Sequence, residues 1–538
     1  MKKMNGKFIS KVTVILLVLA MMQSLVACGS KAPENTADSS QAASISDNTA
    51  VPAIDDVKLD GVTLKFWKPL YWVGKVASDN ENIAWQEVQK RLGVKLEFIQ
   101  PTAGQEVDQF NLMIASDSLP DIISSSWGGD DMYTGGLDKY VKDEILIKLN
   151  DLVPQYAPDY LNTINTMVKE EEKKEFYTDS GNMVEFYAIS PYEAYSYNGL
   201  QYRQDYMDKL GLKNPQTLTE VEAALKGFKD TLGVKSPLIL ANNGIDGLGG
   251  AFVSAFGIGP TFYQKDGKVM YGPIQPEFKD YLALMNDWYK KGLIDLDFAS
   301  RDEDGWKRML TSGESGAIVH SPDTVGAWMS GITTMMGGYN PAKNAGDKIQ
   351  FRLKTYQCVP QYAVAVTSAC KNPEAAVKFL NYGYTKEGYM LYNYGIEGQT
   401  YNLEGDKVVY TDMMMNNPDY PVLDAILKYK LHIGPFLRFE HEGNPAINQS
   451  TMAIRKFWTE NSGTDLVLPM ITLNAEEGTE YARIMNQVNT YLSTGIVKFI
   501  MGADSLDNFG KFVDDLKKLE VEKVITMEQA ALERYNKR

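Results

Sequence analysis

Cysteine and histidine are nearly missing from this chain. Its 538 residues hold three of each, and the scarcity removes whole classes of chemistry. His320, His432 and His441 show no metal-ligand spacing, and no Gly-x-Ser-x-Gly elbow is present, so zinc, cysteine-nucleophile and serine-triad mechanisms lack their parts. There is no glycine fingerprint for a nucleotide and no internal repeat. Positive charge is also short. Lys and Arg total 54 against 69 Asp and Glu, a net charge of -15. That balance argues against nucleic acid, and against polyanions such as alginate or heparin, as the main ligand; a neutral or cationic ligand fits it better. Outside the N-terminal segment no run is long and apolar enough to span a bilayer. Cys358 and Cys370 flank an extended stretch, QYAVAV from Gln361 to Val366. Such a stretch holds the two sulfurs too far apart for a disulfide, and two free, buried thiols are expected.

What is present begins at the first residues. Lys2, Lys3, Lys7 and Lys11 form a basic flank, and VTVILLVLA from Val12 to Ala20 is an apolar core of signal-peptide length. Leu25-Val26-Ala27-Cys28 follows and resembles the bacterial lipobox. The resemblance implies cleavage before Cys28 and a diacylglycerol on its thiol, whose two acyl chains suffice for stable anchoring. Cleavage removes four lysines and no acid, so the mature chain is more acidic still. Residues 28–57 are rich in Ala, Ser, Asp and Asn with no apolar period, and read as a flexible tether. The remaining body is longer than one hydrophobic core usually organises, so at least two lobes are expected.

Along the body, Val62–Trp67 alternates as a strand, and Ile83, Trp85, Val88 and Leu92 fall at helical spacing. Val94–Ile99 alternates again, Val107–Ala115 reads as helix, and Leu119–Ile123 as a short buried strand. This β-α-β-α-β order predicts a parallel, doubly wound sheet, whose ligands sit beyond the carboxyl ends of the strands. Gln201–Gly211 and Leu218–Leu232 read as helices, the second with Thr217 or Thr219 as cap. Ser236–Leu240, Gly316–His320 and Val359–Thr367 read as strands, Glu277–Gly292 as a long amphipathic helix, and the C-terminal stretch as mostly helical.

Several stretches together resemble the sugar-binding family 1 of extracellular solute-binding proteins, in its long lipoprotein branch common in Paenibacillus-like and clostridial bacteria. They are Leu119-Pro120-Asp121-Ile122-Ile123; the run from Tyr202 to Leu212 with Pro215, Thr217 and Glu220; Gly313-Glu314-Ser315-Gly316-Ala317; Asn372-Pro373-Glu374-Ala375-Ala376; and Tyr394-Gly395-Ile396-Glu397-Gly398. The resemblance implies a periplasmic-binding-protein-like α/β fold: two doubly wound lobes joined by crossing strands, with a ligand cleft between them. Residues 1–27 would be the signal peptide, 58–190 plus 358–395 lobe one, and 191–357 plus 396–538 lobe two. It further implies a non-enzymatic, monomeric protein without cofactor, lipid-anchored on the outer face of the cytoplasmic membrane. Such a protein hands a carbohydrate, an oligosaccharide by the length of the chain, to the permease of an ABC importer. An exported glycan-acting hydrolase, a peptide-binding protein and a sensor-kinase partner are the alternatives.

A saccharide cleft needs flat apolar faces for sugar rings and a few planar polar groups for hydroxyls. With 8 Trp and 31 Tyr, the chain has aromatic side chains to spare. Trp67 and Trp72 lie at and after the end of the first strand, and Trp127 just past Ile122-Ile123. Asp130 and Asp131 follow in a glycine-containing loop, either to bind hydroxyls or as a solvated acidic loop. By the resemblance, Tyr195 and Tyr197 lie on a strand crossing beneath the cleft. Arg203 aligns with a family arginine that serves the ligand or a structural salt bridge. His320 and Trp328 flank a turn that often lends the cleft an aromatic, and Trp306 is a further candidate. Glu397 either binds ligand or braces the hinge. Asp179, Asn182 and Glu185 form a loose acidic loop of the kind near which some relatives bind calcium. Their spacing is not that of a helix-loop-helix calcium site, and no metal is expected.

Overall fold

The computed structural model describes residues 58–70, 77–102, 105–124, 136–191, 195–240, 250–348, 357–432, 434–438 and 449–538. Cys28 and the tether lie outside them. The first sheet has the order β2-β1-β3-β11-β4, from β1 (Thr63–Trp67), β2 (Lys95–Ile99), β3 (Ile122–Ser124), β4 (Glu185–Ile189) and, far along the chain, β11 (Cys358–Val366). β1 runs parallel to β2 and β3, while β11 is antiparallel to both β3 and β4. The second sheet has the order β10-β5-β9-β6, from β5 (Gly199–Arg203), β6 (Leu238–Ile239), β9 (Ala317–His320) and β10 (Met335–Gly337). Two hairpins, β7 (Phe262–Lys265) with β8 (Lys268–Tyr271) and β12 (Tyr401–Glu404) with β13 (Lys407–Tyr410), lie outside the sheets.

Local chemistry sets these elements. The helix Ile83–Leu92 starts at Asn82, whose side-chain oxygen accepts from the N–H groups of Ala84 and Trp85, and stops at Gly93 with φ 72°. Its Trp85 meets Phe66 of β1 edge-on at 5.9 Å. The other face of β1 is covered as well: Trp67 packs on Phe110 and lies in one apolar cluster with Tyr140. A parallel sheet sandwiched by helices is buried on both faces. The stretch Gln201–Gly211 splits: Gln201–Arg203 belong to β5, and only Gln204–Leu210 is helical. Pairing of Gln201 with Ile318 on one side and Gly337 on the other decides the strand. Thr217 caps the helix Leu218–Lys226 through a capping box with Glu220.

The chain passes between the lobes after β4 and again before β11, and Gln357 clamps both passages. Its side-chain oxygen accepts from Lys169 N–H at 2.7 Å, and its amide donates to the carbonyls of Met167 (3.0 Å) and Pro191 (2.8 Å). Its own backbone N–H donates to the Glu172 carboxylate at 2.8 Å. The return to the first lobe runs past the boundary expected at residue 395. Tyr401, Leu431, Phe436 and Leu437 belong to the first core, and Leu437 bridges to Ile189. These residues, all beyond 395, therefore pack with the first sheet.

From there the helices Gln449–Glu460, Ala475–Met501 and Val521–Tyr535 build on the second lobe. They also reach back to the first. Asp179 of the first lobe pairs with Arg534 (2.6 Å) and Arg538 (2.9 Å), and its N–H donates to Thr472. The Tyr535 hydroxyl donates to Glu175. Cys358 and Cys370 are free and buried, and burial pushes the Cys370 thiol up to about 11. Among the described residues no helix is long and apolar enough to cross a membrane.

Candidate functional site

β5 and β9 are antiparallel, with Gly199 opposite His320, so the start of β5 and the carboxyl end of β9 share one sheet edge. Three of the expected aromatic residues converge there from three elements. Trp306 comes from the helix Glu303–Ser312, His320 ends β9, and Trp328 comes from the helix Pro322–Met329. The His320 ring lies 6.0 Å from Trp306 and 5.3 Å from Trp328, centroid to centroid. All three are half-buried.

The wall behind them is uncharged or neutralised. The Gln201 amide donates to the His320 carbonyl at 2.9 Å. Burial holds the His320 imidazole below its ordinary pKa, which keeps the ring neutral at pH 7. Among the described residues, Trp306 Nε1, His320 Nδ1 and Gln201 Oε1 are buried polar atoms without a hydrogen-bond partner. Arg455 and Asp323 form a buried ion pair alongside. Trp458 locks the strand start: its indole donates to the carbonyls of Leu200 (3.2 Å) and Gly338 (3.0 Å), and its ring lies where a Cβ on Gly199 would stand. Tyr195 and Tyr197, both half-buried, precede β5 at the same edge, where Ser196 N–H donates to Thr459 at 2.9 Å.

Other expected residues stand elsewhere. Trp67 is 1% exposed; it ends its strand pointing at Phe110, into the layer of helices, and not at a cleft. Arg203 lies at the opposite end of β5 from Gly199. It is engaged by both oxygens of Asp205 (3.0 and 2.9 Å), by the Leu310 carbonyl (2.9 Å) and by the Tyr206 ring beneath it (4.1 Å), a structural ion pair. Glu397 is exposed in its turn. Trp72, Trp127, Asp130 and Asp131 lie outside the described residues. The acidic loop is consumed by protein partners: Asp179 by the two arginines, and Asn182 by a hydrogen bond to Asp138 at 2.8 Å. Glu185 is buried within β4. Among the described residues no His, Cys, Asp and Glu cluster is arranged to hold a metal ion.

Two cations that no motif marked sit at the carboxyl edge of the first sheet. Asn82, in the segment leading from β1 to the next helix, donates to the Lys430 carbonyl at 2.8 Å. Arg438 N–H donates at 2.8 Å to the carbonyl of Ile189, the last residue of β4.

Two α/β lobes with crossing connections set a fold, and comparison with known proteins sets the family. The family model of bacterial extracellular solute-binding proteins matches residues 78–390. The chain belongs to that family. Among curated relatives, this solute-binding protein is 27% identical over 333 residues to the fructooligosaccharide ABC transporter substrate-binding protein FusA of Streptococcus pneumoniae, a match covering 58% of this chain and 56% of FusA. It therefore aligns with little more than half the length of that relative. Lipoprotein LipO of Bacillus subtilis is 23% identical over 428 residues, covering 75% of this chain and 76% of LipO. Among solved structures, the alginate-binding protein AlgQ2 without calcium superposes with a TM-score of 0.73 at 22% identity, over 89% of this chain and 99% of that one. At that identity the likeness speaks for the periplasmic-binding-protein-like fold alone.

Proposed function

We propose that this solute-binding protein is the carbohydrate-capturing component of an ABC importer, held on the outer face of the membrane through a lipid on Cys28. The observation that carries the reading is the gathering of Trp306, His320 and Trp328 at the carboxyl end of β9. Half-buried ring faces beside uncharged hydrogen-bonding groups suit the C–H faces and hydroxyls of a sugar. Support comes from the family and from FusA, named for fructooligosaccharides; LipO is named a lipoprotein. Trp72, Trp127, Asp130 and Asp131 are the candidates for the facing wall, since they follow the carboxyl ends of β1 and β3.

The mechanism in this reading is binding without chemistry. Ligand contacts both lobes and shifts an open–closed equilibrium toward the closed form, by no more than its difference in affinity for the two. The closed form docks on a permease, and the tether keeps its effective concentration high. Calorimetry of the mature protein against mono- and oligosaccharides, with a turnover assay on each hit, tests this. Saturable one-to-one binding without product is expected; steady hydrolysis without stoichiometric binding refutes it.

A further inference from the structure

Lys430 is a charged side chain in a place where a charge is costly. It is 3% exposed, and the hydrogen bond its ammonium makes is a long one, 3.4 Å to the adjacent Leu431 carbonyl. No acidic side chain stands within ion-pair distance of it among the described residues. Burial, and after it the neighbouring cation Arg438, push the Lys430 ammonium down to about 7, so that without a counter-charge it is only partly protonated at neutral pH. Taking an ammonium out of water costs several kcal/mol unless a counter-charge accompanies it. Nearby lysines are supplied with one: Lys428 has Glu81 and Lys68 has Asp79.

Position turns this omission into a clue. Lys430 is docked through Asn82 on the segment that follows β1, and Arg438 on the end of β4. Both therefore border the carboxyl edge of the first sheet, where an open α/β sheet takes its ligand. The missing counter-charge is then one that arrives with the ligand. We propose that Lys430, with Arg438 as its cationic neighbour, is the anion-recognition element of the cleft, and that the captured saccharide carries a carboxylate, as a uronic acid does. The inference rests on the carbohydrate reading above and narrows it. The chain's net charge of -15 opposes long-range attraction of an acidic sugar, so it slows capture; the desolvated contact at Lys430 acts only at short range, where screening by water is weakest.

The test is calorimetry of the mature protein with trigalacturonate, with the same trimer as its methyl ester, with trimannuronate, and with neutral kestose. An acidic trimer is expected to bind at least tenfold more tightly than its neutral counterpart. Lys430→Met should abolish that preference, and Lys430→Arg should retain most of it. Thermal unfolding of Lys430→Met is expected at or above the parent temperature, since an apolar side chain of similar length replaces a buried cation. Tight kestose binding without uronate binding, equal affinity for acid and ester, or a Lys430→Met preference unchanged from the parent each overturns the inference while leaving the carbohydrate reading in place. Failure of all four sugars to bind overturns both.

Discussion

Glu185 offers a sharp test of the packing around the first sheet. It is buried on β4, opposite Ala365 of β11, with one carboxylate oxygen buried and without a hydrogen-bond partner among the described residues. Desolvation raises its pKa from 4.5 to about 8, partly offset by a hydrogen bond from Tyr187. Cys358, across the β4–β11 ladder, is itself held protonated by burial and by the acids Glu175, Glu185 and Glu172. A group whose folded pKa is raised contributes stability that is fully present below its unfolded pKa and is lost as pH climbs through the folded one. The window therefore runs from about 4.5 to about 8, at roughly 1.4 kcal/mol per pH unit, several kcal/mol in all. Glu185→Gln keeps the shape and cannot ionise. Urea unfolding of parent and variant at pH 5, 6, 7 and 8 should give a stability difference that moves in favour of the variant as pH rises. Taking the difference cancels Lys430, whose own depressed pKa of about 7 acts in both proteins and with the opposite sign. Curves that stay parallel from pH 5 to 8 would show that Glu185 is ionised in the folded protein and refute the reasoning.

Other outcomes follow from the same geometry. Trp328→Ala removes one face of the aromatic group at the end of β9 and should weaken saccharide binding more than tenfold, with a small change in melting temperature. Equal affinity would take Trp328 out of the site. Arg203→Ala removes the bidentate pair with Asp205, which keeps Lys209 nearby, and one of two donors to the Leu310 carbonyl; it should cost about 1–2 kcal/mol in urea unfolding, while changing the ligand Kd less than twofold, because Arg203 is at the far end of β5. Asp179→Ala leaves the buried Arg538 without its acid, while Arg534 keeps Glu477, and a loss of about 2 kcal/mol is expected. Addition of EDTA should leave that stability untouched, since the loop's partners are protein groups.

Where local chemistry dominates, the sequence was legible. The helical spacing of Ile83, Trp85, Val88 and Leu92 and the alternation of β1 and β2 announced the first βαβ unit, and its ligand edge followed from the parallel order. Misreadings arose where distant pairing decides. Gln201–Arg203 adjoin a good helix former, yet β9 and β10 claim them for the sheet. Trp67 ends a strand, but proximity to the ligand edge does not fix the direction of a side chain; the period of the strand sends it into the helices. Trp306, His320 and Trp328 were suspected one by one, and only folding brings the helix, strand and helix that carry them to one edge. Lys430 had no local signal at all. Its burial comes from the return of the chain to the first core at Leu431, Phe436 and Leu437, past the boundary expected at residue 395.

That return has a consequence for how the molecule can assemble. β11 is an interior strand, pairing with β3 on one side and β4 on the other, and residues as far apart as Pro120 and Thr367, 247 positions in sequence, are joined by a hydrogen bond beside it. Bringing such ends together costs about 5 kcal/mol of chain entropy before any contact rewards it. A fragment that stops before residue 358 would hold β3 and β4 as two open edges with no strand to fill the gap, a template for pairing with other chains. The first lobe is begun early and can be closed only late, after the whole second lobe has been laid down, so neither half can be expressed as a folded unit by cutting the chain between them. High contact order of this kind makes folding slow. If the N-terminal segment is the export signal that its sequence resembles, slowness is useful, because a polypeptide that cannot complete its sheet early stays threadable.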